Sequence, residues 1–121
     1  MLPAAHRMRR PGDFDRAVRK GVRTGKSTMV FHLVESDDDV NVPLVGFVVS
    51  KAVGNAVVRN KVKRRMRAIV AGHLAEVPAD SRVVVRSLPA AATADFAQLE
   101  ADYLSCLQRG LRRRGDQRST R

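Results

Sequence analysis

An α+β fold follows from three observations. Segments 28–34, 44–50 and 81–87 have the β-branched, apolar content of strands. Segments 13–20, 56–74 and 93–107 repeat apolar residues at helical spacing, with polar residues between them. Along the chain these alternate as helix, strands, helix, strand, helix, which predicts a two-layer sandwich: a mixed sheet with helices covering one side.

Residues 1–10 carry Arg7, Arg9 and Arg10 and read as a mobile basic arm. Pro11-Gly12 marks a start, and Asp13 to Lys20 is expected to be a short helix closed by Gly21 in a left-handed conformation. Phe14, Ala17 and Val18 share one face, and spacing alone makes Phe14 a core residue. Val22 to Ser27 is polar, with room for a short strand. In the strand 28–34, Met29, Phe31 and Leu33 point one way and Val30, His32 and Val34 the other, so both faces are at least partly covered. His32 alone reads as a satisfied sheet histidine. Glu35 to Asp39 is expected to be an acidic hairpin loop serving solubility. It lacks the alternating ligand spacing of a calcium loop. Leu44 to Ser50 reads as a strand buried on both faces. It delivers Ser50 and Lys51 to the next helix.

That helix dominates the sequence. From Val40 to Ala75 there is no acidic residue, while Lys51, Arg59, Lys61, Lys63, Arg64, Arg65 and Arg67 are all cationic. Charge of one sign at this density suggests a polyanionic partner. On a helical projection Val58, Val62, Met66, Ile69 and His73 form the buried stripe. Arg59, Asn60, Lys63, Arg64 and Arg67 occupy the outer arc, and Lys61 and Arg65 flank the stripe. Asn60 adds a neutral donor and acceptor to the cationic row. Val53-Gly54-Asn55 reads as a turn whose amides, near a helix N-terminus, attract phosphate.

Pro78-Ala79-Asp80 is a turn, and Ser81 to Ser87 a strand with Arg82 and Arg86 on the face of Val84. Thr93 is the expected N-cap of the closing helix, and Asp95 suits its first turn. Phe96, Leu99, Tyr103, Cys106 and Leu107 form the apolar stripe, with Glu100 and Asp102 off it. Residues 76–108 hold five acids and two bases, so this helix reads as a brace that keeps away from a polyanion. Residues 110–121 read as a disordered Arg-rich tail, leaving 11–109 as the single domain.

The 121 residues carry 23 Lys and Arg against 12 acids, a net charge of +11, which makes nucleic acid the leading partner class. No apolar run approaches the roughly 20 residues needed to span a bilayer. The N-terminus lacks a signal-like stretch, so a cytoplasmic location is expected. The lone Cys106 reads as a buried small hydrophobe. Metal-dependent phosphodiester cleavage needs clustered carboxylates, yet here the acids avoid the basic segment. His6, His32 and His73 are far apart in sequence and suggest no acid–base pair. No catalytic residue, metal site or small-molecule cofactor is therefore expected of the protein itself. A ribosomal or RNA-chaperone protein would share this composition; a DNA-binding regulator would usually show a helix-turn-helix pair or a dimer seam.

Val45-Gly46-Phe47-Val48-Val49-Ser50-Lys51, then Gly54-Asn55, then Ala56-Val57-Val58-Arg59-Asn60-Lys61-Val62-Lys63-Arg64-Arg65, resembles the signature segment of the bacterial ribonuclease P protein component. The flanks fit too, from about residue 6 to 109, with Asp13-Phe14 and Gly21 early and a strand and helix late. The resemblance implies the order αβββαβα with about four strands and a left-handed crossover against the usual hand. It implies an endoribonuclease subunit whose catalytic site and Mg2+ lie in an RNA partner, removing the 5′ leader of precursor tRNA. It implies that Asn55, Arg59, Asn60, Lys61, Lys63, Arg64, Arg65 and Arg67 meet the catalytic RNA, with Lys61 where many members carry Arg. Phe14, His32, Ser50 and Lys51 become the candidates for a leader-binding cleft. His32 stands where an aromatic is common, and Val18 where a second one is.

Overall fold

The computed structural model describes residues 2–36, 39 and 41–119. Its elements run α1 (Pro11–Lys20), β1 (Val22–Gly25), β2 (Met29–Glu35), β3 (Leu44–Val49), α2 (Ala56–Gly72), β4 (Ser81–Ser87) and α3 (Phe96–Ser119), in the expected order αβββαβα. Short 3-10 turns cover Ala4–His6, Leu74–Glu76 and Pro89–Ala92.

The four strands form one mixed sheet in the order β1-β2-β4-β3. β4 is antiparallel to β2 and parallel to β3, so the last strand made is an inner one. The acidic segment after β2 is therefore not a hairpin loop: β2 and β3 are separated by β4. Asp37 and Asp38 lie outside the described residues. β3 is an edge strand and is not buried on both faces: Val48 is exposed, and Leu44 and Phe47 are half-buried. Its outer side is met by the N-terminal segment, where Met8 N–H donates to Val45 C=O at 3.0 Å.

Strand alternation divides the sheet into two faces. Met29, Phe31, Leu33, Val45, Val49, Val83 and Val85 point to α2 and α3, forming the main core with Val62, Met66, Ile69, Leu99, Tyr103 and Leu107. The other face is partly covered by α1, where Met8, Ala17, Val34 and Val84 form a second, smaller cluster bordered by Phe14 and Leu44. At about 1.5–3 kcal/mol for each fully buried large apolar side chain, the larger main cluster contributes most of the burial energy, and the small one orients α1.

The N-terminal segment is not a mobile arm. Leu2 and Met8 are buried, and His6 Nδ1 donates to Pro43 C=O at 3.0 Å. Pro11 opens α1, where its missing N–H costs nothing. Gly21 ends that helix in an extended conformation, φ −80°, not a left-handed one. Its requirement is space: a Cβ there would stand 2.5 Å from the carbonyl oxygens of Ala17 and Leu33.

Four details of the long helices also differ from expectation. His73 lies just past α2, and Val70 takes its place in the buried stripe. Asp95, not Thr93, caps α3, accepting from Gln98 N–H at 2.8 Å. Phe96 is exposed while Asp102 is buried. Asp102 is satisfied there by Thr28 Oγ1 at 2.7 Å and Gln98 Nε2 at 2.8 Å. α3 also continues through Gly110 to Ser119 instead of giving way to a disordered tail. Gly110 is buried against Phe31, and Arg114 Nη2 donates to Asp80 Oδ1 at 3.2 Å.

Candidate nucleic-acid interface

α2 begins where Asn55 Oδ1 accepts from Val58 N–H at 3.0 Å. This cap satisfies a helix-end donor that would otherwise have no partner in the helix. It commits that oxygen of Asn55 locally. Once started, the helix buries Val62, Met66, Ile69 and Val70 against the sheet and α3. Burial of that stripe leaves the opposite arc outward, so Asn60, Lys61 and Arg64 are exposed and Arg59, Lys63 and Arg67 are half-buried. The Nε atoms of Arg59 and Arg67 are covered, so their stems lie along the protein surface. Arg65 differs from its neighbours: its Nη1 donates to Ala94 C=O at 3.2 Å, tying α2 to the turn before α3.

Along the outer arc runs a groove of about 520 Å³ lined by Asn60, Lys63, Arg64, Arg67 and Ala68. A second groove, of about 270 Å³, lies around the β3 edge. Arg7, Arg9, Phe14, Gly46, Lys63 and Arg67 are among its walls. Lys63 and Arg67 thus border both grooves. The second groove joins a partly exposed aromatic ring to cations from two segments of the chain, the N-terminal segment and α2, a combination that suits an unpaired nucleotide strand.

The four cleft candidates are not all brought together. Phe14 lines the second groove, and Ser50 and Lys51 are exposed just beyond the end of β3, in a turn closed by Val53 N–H to Ser50 C=O at 3.1 Å. His32 is buried in β2, two strands from Gly46, in a cross-sheet row that reads Arg23, His32, Val84, Gly46. Neither of its ring nitrogens has a hydrogen-bond partner among the described residues. It is therefore not the satisfied sheet histidine that its context suggested. Burial, then the charges of Arg86 and Arg23, hold its pKa below the ordinary value, so the ring is neutral at pH 7 and attracts phosphate through no charge of its own.

Arg7, Arg9 and Gly46 were not legible as site residues. The two arginines read as a loose arm because Leu2 and Met8, which pin that segment, are isolated apolar residues in a basic stretch. Gly46 sits inside an apolar strand, and only the packing of α1 gives it a role. An isolated glycine in a strand pattern is nonetheless the kind of signal that marks a close approach.

Among the described residues, no group of three His, Cys, Asp or Glu side chains could hold a metal ion. Also among them, no helix is long and apolar enough to cross a membrane.

Comparison with known proteins gives this surface its context. A family model for ribonuclease P matches residues 2–110. The chain is 52% identical to the ribonuclease P protein component of Streptomyces griseus, with 90% of this chain and 94% of the relative covered. It is 50% identical to that of Acidothermus cellulolyticus, covering 85% of this chain and 86% of the relative. Among solved structures, the RNase P protein of Staphylococcus aureus superposes with a TM-score of 0.76 at 26% identity, over 85% of this chain and 93% of the other. With the sheet order, the cationic helix and these matches in agreement, the chain belongs to the ribonuclease P protein family and is the protein subunit of a bacterial ribonuclease P, an RNA-containing enzyme that processes the 5′ end of tRNA.

Proposed function

We propose that the outer arc of α2 binds the backbone of the catalytic RNA, and that the groove at Phe14 receives the single-stranded 5′ leader of precursor tRNA. Arg59, Asn60, Lys61, Lys63, Arg64 and Arg67 supply the first contact, with Asn55 at the helix entrance and Arg65 at its flank. Neutralising phosphates there lets two polyanions approach each other. Phe14 offers a ring on which a base stacks, and Lys63, Arg67 and Arg9 offer charge to the adjoining phosphates. Ser50 and Lys51 extend this track past β3, with His32 a neutral ring beneath the sheet face. Bond cleavage and its Mg2+ belong to the RNA partner in this reading, which is supported by the lack, among the described residues, of any His, Cys, Asp or Glu group that could hold a metal ion. The holoenzyme acts in the cytoplasm.

The observation that carries the reading is the second groove, where an aromatic ring from α1 and two cations of α2 share one wall. The test is multiple-turnover cleavage of precursor tRNA at low Mg2+ by the cognate RNA, with and without the protein, using wild type and Phe14→Ala. Stimulation by wild type, no cleavage by the protein alone, and in Phe14→Ala a larger loss of affinity for leader-bearing precursor than for mature tRNA are expected. Equal losses on leader-bearing precursor and mature tRNA would reduce Phe14 to a packing residue.

A further inference from the structure

Phe14 projects from α1 toward the middle of β3, and its ring occupies the space in which a side chain at position 46 would begin. A Cβ built on Gly46 would overlap Phe14 Cζ, stand 2.5 Å from Phe14 Cε1 and lie 3.2 Å from Cβ of Met8. Gly46 is itself buried, yet Phe14 remains partly exposed and lines the groove. The ring therefore rests on bare backbone on one side and is open on another.

We infer that Gly46 is a positioning residue: by lacking a side chain it seats the Phe14 ring at the depth where the ring can meet an unpaired base beside Lys63 and Arg67. This rests on the leader reading above and identifies what sets the geometry of that contact. The reason is one of mechanical constraint. β3 cannot recede, because it is paired with β4 on one side and bridged by the N-terminal segment on the other, at Arg7 and Val45. α1 is held low at its far end, where Gly21 leaves no room for a Cβ against Leu33 C=O. Ala17, between these points, is fully buried in the second cluster. A methyl group at position 46 must then be absorbed by the ring, which either turns out of its seat or lifts the start of α1. Both movements shift the aromatic surface relative to the cations of α2 and leave the outer arc of α2 untouched.

The experiment uses the holoenzyme reconstituted with its RNA and two precursor tRNAs, one with a leader of several nucleotides and one with a single-nucleotide leader. Wild type, Gly46→Ala, Phe14→Ala, Phe14→Leu and the double variant Gly46→Ala/Phe14→Leu are compared. Gly46→Ala is expected to weaken binding of the long-leader substrate by about tenfold, within the contribution of one stacked base. Its affinity for the short-leader substrate and for the catalytic RNA should stay at the wild-type level. In the Phe14→Leu background, adding Gly46→Ala should change leader affinity by no more than about twofold, because the ring through which the methyl acts is gone.

Wild-type leader affinity in Gly46→Ala, alongside a loss in Phe14→Ala, would overturn the role of Gly46 and leave the leader reading standing. No loss in Phe14→Ala would overturn the leader reading itself. Equal losses for both leader lengths would make Gly46 a packing residue only. If Gly46→Ala fails to fold, the double variant decides: a Tm matching that of Phe14→Leu alone supports the ring as the site of the clash, and a Tm well below it overturns that.

Discussion

The imidazole of His73, just past the end of α2, has its Nε2 3.1 Å from Glu100 Oε2 on α3. Its Nδ1 lies 2.8 Å from Glu76 Oε2. One ring therefore fastens the end of α2 to α3 through Glu100, with Glu76 as a second partner in the turn that follows α2. The hydrogen bond with Glu100 raises the His73 pKa above the ordinary 6.5, partial burial opposes the rise, and Glu76 adds to it. A raised folded-state value means stability that is fully present below about 6.5 and is lost as pH rises through the folded value. His32 acts in the opposite sense: its depressed value costs stability as pH falls below the ordinary one. The difference in Tm between wild type and His73→Gln isolates the first effect. It should be positive in mild acid and shrink toward zero above neutrality, and it should be modest because both carboxylates are partly solvated. A difference independent of pH would show that the ring packs without carrying charge.

Arg64 and Arg65 are neighbours with different expected phenotypes. Arg64→Ala should leave Tm unchanged and reduce the salt dependence of RNA binding by about one phosphate's worth. Arg65→Ala should lower Tm as well, since it removes the bond to Ala94 C=O. Salt titrations of assembly with the cognate RNA, paired with thermal melts, separate the two. An unchanged slope in folded Arg64→Ala protein would remove Arg64 from the contact set.

Arg114 tests the last turns of α3. Its Nη1 donates to Ser81 Oγ at 3.1 Å while Nη2 reaches Asp80, so the helix end is stapled to the start of β4. Arg114→Ala should cost about 1–3 kcal/mol, the range for losing a charge-assisted hydrogen bond with a buried partner. The exposed Arg112→Ala should stay within about 0.5 kcal/mol of wild type in urea unfolding. Equal, negligible effects would mean that the staple contributes nothing in solution.

Tyr103 presents the opposite case. Its ring meets Phe31 edge-on, with centroids 5.9 Å apart. The hydroxyl is buried and has no hydrogen-bond partner among the described residues. Burial accordingly pushes its pKa well above the ordinary tyrosine value. Tyr103→Phe keeps the ring contact and removes an unsatisfied polar group, so stability should hold or rise by about 1 kcal/mol. A clear fall in Tm would reveal a partner for the hydroxyl, an ordered water among them.

The sequence reading was strongest where local pattern and tertiary role coincide. α2 was legible because its stripe and its charges both repeat at helical spacing, so one projection separates core from exposed cations. What pattern could not supply was adjacency. Alternation told which residues of β2 share a face, but not that β4 comes between β2 and β3. Asp102 was placed outside the α3 stripe because carboxylates seldom lie in cores, and the Thr28 hydroxyl that accommodates it is remote in the chain. Gly21 looked like a left-handed cap from its position after a helix, although the demand on it is the closeness of β2. The exposed cationic arc of α2 could thus be read directly, while the groove at Phe14 draws on four segments that meet only in the folded chain.

The central placement of β4 also orders events in time. As the chain leaves the ribosome, α1, β1, β2, β3 and α2 all emerge before the strand that joins β2 to β3. Until Ser81 to Ser87 arrive, β3 has no strand neighbour, and the apolar stripe of α2 lacks half of its support. Sheet closure then pairs Phe31 with Val85 and Val45 with Val83, contacts of long sequence separation that slow folding. The sheet face on which α2 packs its apolar stripe is therefore complete only once Ser81 to Ser87 are in place.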